Sequence, residues 1–186
     1  MTEVQDVETG ARARTRRAIV EAAVARLAKD PAASLGQIAD AAGVGRTTLH
    51  RYFPERSDLL VAVGEETATR VRGARERARL ADGTAREALV RLCPEYLLLG
   101  DLLTLLFTEV VPDSAVDEAE DDDPMIALVE RGHADGSIDP ALSAHWVVGT
   151  VWAQLYLAWS TLRDGAEARH DVVPLLVRTV EKAVAP

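Results

Sequence analysis

Apolar residues recur at helical spacing along nearly the whole chain, and no alternating run long enough for a convincing strand interrupts them. The pattern predicts an all-α protein. Ile19, Ala23 and Leu27 mark a first helix over about 10–29, which Pro31 closes. A longer helix is expected from Ser57 to about Arg79; its far half, RVRGARERARL, is charged enough to be solvated, and Asp82-Gly83 breaks it. Thr84 and Glu87 have capping-box spacing for a helix toward Leu99 that carries Leu89, Leu92 and Tyr96. Gly100 and Asp101 introduce LLTLLFTEVV, which Pro112 ends. Further helices are expected over PMIALVERGHADG, from Pro140 to Leu162 with Asp139 as N-cap, and from about His170 to Val184.

The stretch from 34 to 60, SLGQIADAAGVGRTTLHRYFPERSDLL, reads as two short helices around a tight turn, followed by the start of a third. Ser34 and Gln37 form a capping box, so a helix can begin at Leu35 with its first amide groups satisfied. Gly43 stops that helix, since glycine takes the left-handed conformation at little steric cost. A second helix runs from Arg46 to Phe53, and Pro54 ends it. At about 100° per residue, Leu49, Tyr52 and Phe53 fall on one side, and Arg46, Thr47, His50 and Arg51 on the other. Two guanidinium groups, a hydroxyl and an imidazole on one exposed face suit phosphates and base edges in a major groove. A solvated charged helix face is the plain alternative, and the turn, the capping box and the aromatic end together favour DNA.

Charge sharpens this reading. The chain is acidic overall, at −9, yet residues 1–80 hold 14 Arg plus Lys against 11 Asp plus Glu, while residues 81–186 hold 7 against 19. Basic groups cluster where DNA would lie: Arg12, Arg14, Arg16 and Arg17, then Arg46, Arg51 and Arg56. The acidic remainder would repel phosphate and leave one face able to dock. The acidic run DSAVDEAEDDD at 113–123 lacks a calcium-loop glycine and reads as a solvated loop. Cys93 alone excludes an intramolecular disulfide and reads as a packing residue. The N-terminus has no apolar core of the signal-peptide kind, and the polar groups scattered through the uncharged residues 140–162 argue for a buried helix rather than a membrane span. No nucleophile elbow, phosphate-binding glycine loop or zinc spacing appears, so neither an enzyme nor a cofactor or metal site is expected.

The stretch from Thr15 to Leu60, above all IADAAGVGRTTLHRYFPERSDLL behind TRRAIVEAAVARLAK, resembles the DNA-binding domain of the tetracycline-repressor (TetR) family of bacterial regulators. The resemblance implies a DNA-binding domain over 10–56 and a helical ligand-binding and dimerisation domain over 57–186. Candidate DNA contacts are Ser34, Arg46, Thr47, Thr48, His50, Arg51, Tyr52 and Arg56; His50 and Arg56 depart from the tyrosine and lysine usual in the family. The last two helices are expected to pair with their copies in a homodimer. A small apolar or amphipathic effector is expected among Tyr96, Phe107, His133, His145, Trp152 and Tyr156. The function implied is that of a cytoplasmic repressor that holds a palindromic operator and is released by a small molecule. The alternatives are a constitutive DNA-binding protein or a helical interaction module.

Overall fold

A computed structural model describes residues 10–108 and 123–186, all of whose regular elements are helices. They are α1 (Gly10–Leu27), α2 (Leu35–Ala41), α3 (Arg46–Tyr52), α4 (Arg56–Ala78), α5 (Ala85–Leu97), α6 (Asp101–Phe107), α7 (Pro124–Asp135), α8 (Ala144–Arg163) and α9 (Arg169–Val184). Among the described residues, no helix is long and apolar enough to cross a membrane. The expected end of the α6 segment at Pro112 and nearly all of the acidic run lie outside the described residues.

The chain divides into two compact units. Of the described residues, 10–67 and 104–108 belong to the first, and 68–103 and 123–186 to the second. In the first, α1 packs on α2 and α2 on α3. Ile19, Ala23, Leu27, Ile38, Leu49 and Leu59 are almost wholly excluded from solvent and form its core. Helices α2 and α3 have only 7 residues each, too few to persist alone, so their ends carry much of the burden. Ser34 Oγ accepts from the Gln37 amide at 3.3 Å, and Gln37 Oε1 accepts from the Ser34 amide at 2.8 Å. Gly43 adopts φ 67°, and the Val44 amide then donates to the Ala39 carbonyl at 3.0 Å, closing the corner. Phe53, at φ −138° and ψ 86°, has left helical geometry ahead of Pro54, which releases the chain from α3.

In the second unit α5 is central, packing against α7, α8 and α9, while α8 and α9 pack on each other. The Thr84–Glu87 capping box forms as its spacing predicts. The amide groups of Ala85 and Arg86 donate to Asp135 Oδ2 at 2.9 Å and Ser137 Oγ at 3.2 Å, so the end of α7 caps the start of α5. Gly132 is required where α7 turns back, because a Cβ there would meet Ile138 at 2.5 Å.

Two expectations need correction. The eighth helix begins at Ala144, not Pro140. Asp139 accepts from the Ala141 amide at 2.9 Å, making a local turn, and its own amide is held by the Val184 carbonyl at 3.0 Å; Ser143 then caps the helix. The far half of α4 is not solvated all round either: Val71, Ala74 and Ala78 are buried at helical spacing. That helix stops at Ala78 because Arg79 turns to φ 48° and Arg91 Nε takes the Ala78 carbonyl at 2.9 Å.

Candidate DNA-binding and ligand-binding sites

Helix α3 is anchored by Leu49, which is fully buried, and by Phe53 just beyond its end. That anchor leaves Arg46, Thr47, His50 and Arg51 exposed and Thr48 and Tyr52 half-buried. The Arg46 guanidinium lies over the first turn of α2, where a Cβ on Gly36 would come within 3.1 Å of it. His50 Nδ1 stands 3.3 Å from the Pro54 carbonyl oxygen, which only accepts, so Nδ1 is the donor in that contact. Ser34 is exposed and spends its hydroxyl on the α2 cap, accepting from the Gln37 amide and donating to Gln37 Oε1 at 3.2 Å.

Arg56 is placed differently from the other candidates. It is half-buried, and its guanidinium donates to the Pro31 carbonyl at 2.8 Å and to the Ala33 carbonyl. It thus ties the start of α4 to the turn before α2. The sequence also undersold α1. The Arg12 guanidinium lies 6.0 Å from the centre of the Tyr52 ring, whose other neighbour, Arg51, is 5.6 Å away. Arg16 stands 5.5 Å from the Phe53 ring and pairs with Glu65 at 3.6 Å. The only signal for this in the sequence was an arginine run that any solvated helix start can carry.

In the second unit, Tyr96 and Trp152 come together. Their rings stack with centroids 5.5 Å apart and planes 14° from parallel, and Arg75 Nε donates to the Tyr96 hydroxyl at 3.0 Å. Tyr96 is fully buried and Trp152 half-buried. Tyr156 is 48% exposed and tilted against Trp159 at 5.8 Å. His145 is exposed; His133 is half-buried, with its Nε2 out of solvent and without a hydrogen-bond partner. Phe107, half-buried at the end of α6, belongs to the first unit. Cys93 is buried, and burial pushes its thiol up to about 12, so it carries no nucleophile at neutral pH.

One surface of this unit is apolar and exposed. Trp146 and Leu157 on α8 and Leu175 on α9 are 68%, 59% and 52% exposed. Leu157 and Leu175 border a depression of about 310 Å³ between the two helices, with Ala158, Val172 and Leu176 in its lining. Exposed large apolar groups gathered this way mark a surface awaiting a partner.

Comparison with known proteins agrees with these features. Residues 19–63 match the family model described as bacterial regulatory proteins, tetR family. Over 182 residues the chain is 34% identical to the HTH-type transcriptional repressor LfrR of Mycolicibacterium smegmatis, an alignment covering 96% of this chain and 94% of that protein. The HTH-type transcriptional repressor KstR of the same organism is 29% identical over 90% of this chain and 89% of its own. Among solved structures, that of LfrR in complex with proflavine superposes with a TM-score of 0.70 over 95% of this chain and 99% of that one.

Proposed function

This chain belongs to the tetR family of bacterial regulatory proteins, as a DNA-binding transcriptional regulator and not an enzyme, and from that premise we propose that it is a ligand-released repressor. It acts as a dimer in the cytoplasm, where the chromosome lies. The observation that carries the reading is α3 itself: Arg46, Thr47, His50 and Arg51 are all exposed while Leu49 pins the helix to the core. That geometry offers donors to base edges and phosphates without unpacking anything. We place the working division at the start of α4, with residues 10–56 reading DNA and residues 57–186 binding effector and partner.

Dimerisation through α8 and α9 would cover Trp146, Leu157 and Leu175. Two heads can then hold successive major grooves when their recognition helices stand about 34–36 Å apart, one turn of the duplex. An effector that changes that spacing releases the operator. The stacked pair Tyr96 and Trp152 favours an apolar or amphipathic effector with a flat aromatic part, and the relative solved with proflavine gives a first probe. Tryptophan fluorescence follows its binding, and operator release is measured on the same samples. By reciprocity, the effector must bind free dimer more tightly than DNA-bound dimer by the factor with which it weakens DNA binding. A compound that quenches the tryptophans but leaves operator affinity unchanged would leave a constitutive DNA-binding protein as the better description.

A further inference from the structure

Helices α5, α7 and α8 pack on one another pairwise. The face that α7 buries is apolar, made by Met125, Leu128, Val129 and Gly132, and Arg131 stands half-buried at its edge. The Nε and Nη2 atoms of Arg131 are out of solvent and have no hydrogen-bond partner among the described residues. These two nitrogens form one edge of the guanidinium, the edge that takes both oxygens of a carboxylate side-on. Asp135, one turn along the helix, is engaged elsewhere: its Oδ2 accepts from the Ala85 amide and its Oδ1 from the Ser137 amide, each at 2.9 Å. Other arginines of the same unit are satisfied within it. Arg75 donates to the Tyr96 hydroxyl, Arg77 pairs with Glu95 at 2.7 Å, and Arg91 holds the carbonyls of Ala78, Arg79 and Asp82.

A buried charged donor without an acceptor costs folding free energy. A guanidinium, unlike an amine, does not shed its charge on burial, so only an acceptor can relieve that cost. We propose that the Nε and Nη2 edge of Arg131 receives the carboxylate of the effector. The proposal rests on the ligand-released reading and narrows the effector from amphipathic molecules in general to amphipathic acids. The helices on which α7 packs supply the stacked Tyr96 and Trp152 to the apolar part.

The test uses the full-length protein and two probes with the same rings, naphthoate and its uncharged amide naphthamide, titrated by calorimetry. Wild type should hold naphthoate about tenfold or more tighter than naphthamide, as hydrogen bonds to a charged group warrant, and naphthoate should loosen the operator. Arg131→Met should erase the preference, and Arg131→Lys, which keeps a charge without the two-pronged edge, should retain only part of it. With no probe present, Arg131→Met should melt at or above the wild-type temperature, because it removes a buried charge that the fold leaves unpaired. Equal binding of the two probes by wild type overturns the proposal, as does a preference that survives Arg131→Met. Naphthoate that binds without loosening the operator overturns it too, and so does a lower melting temperature of Arg131→Met, which would reveal a partner inside the fold. Proflavine has no acidic group, so its binding and its release of the operator should survive Arg131→Met. Operator release by proflavine with none by naphthoate would remove the acid and leave the ligand-released reading standing. Release by none of the three compounds would take that reading down with it.

Discussion

The two units hold their helices by different means. In the first, α2 and α3 are two-turn pieces fixed by a capping box, a left-handed glycine and a proline-terminated end, with Ile38 and Leu49 as their buried anchors. In the second, α8 and α9 run for 20 and 16 residues and depend on burial along their length, through Val147, Val151 and Leu155 on one and Val172, Leu176 and Val180 on the other. The consequences are opposite. The first unit can present a polar helix face to solvent at no cost in packing, and so meet a polyanion. The second leaves Trp146, Leu157 and Leu175 in water, and under the proposed dimer a second copy would cover them.

The largest effect should come from emptying the polar face. An arginine that reads a base is worth about 1–3 kcal/mol, so the Arg46→Ala, Arg51→Ala double variant should lose on the order of a hundredfold or more in operator affinity. Its melting temperature should be unchanged, since both side chains are exposed. Equal affinity for operator in a gel-shift titration would remove α3 from the recognition role.

The apolar face should respond next. Replacing Leu157 and Leu175 by arginine puts charge where a dry interface is expected and should shift sedimentation from dimer to monomer. Operator affinity should fall more than tenfold, while helical content stays as in wild type. A dimer that persists would mean that some other surface joins the two copies.

A smaller effect is expected on acidification. The Asp135 carboxyl is held below its usual value of 3.8, first by the Ser137 hydroxyl and next by the Ala85 amide. A carboxyl lowered on folding lends stability that is present above its unfolded value and is lost as pH falls through the folded one. Asp135→Asn should therefore melt below wild type at neutral pH, and the gap should narrow below about pH 4. Glu87, lowered by its bonds from Thr84, acts in the same direction. A gap that is constant with pH would mean that the charge of Asp135 does not matter.

The smallest is chemical. Cys93, buried with its thiol at about 12, should resist alkylation in the folded protein at pH 8 and react fully in denaturant. Rapid labelling of the native protein would show that the core around α5 opens readily.

The same contrast governs what could be read in advance. Ser34, Gln37, Gly43 and Pro54 act within three or four residues of themselves, and the helices they delimit follow the sequence closely. Asp139-Pro140 had the same local look of a helix start, but Val184 competes for the Asp139 amide from 45 residues away, and Ser143 becomes the cap. The long-range partners were invisible for the same reason. Nothing adjacent to Arg56 announces the Pro31 and Ala33 carbonyls, and nothing near Arg12 announces Tyr52. On α8, the uncharged run announced a buried helix without telling which face meets α5 and which meets water; Trp152 meets Tyr96, whereas His145 and Tyr156 stand largely exposed.

The central claim is that this chain reads a DNA sequence as a dimer. The direct measurement is to incubate the protein with fragmented genomic DNA, sequence the fragments it retains, and titrate the enriched site at several salt concentrations. The account predicts one shared palindrome with half-sites about one helical turn apart or a multiple of it, bound saturably and with steep salt dependence. Fragments with no common motif, held no more tightly than arbitrary duplex, would contradict it.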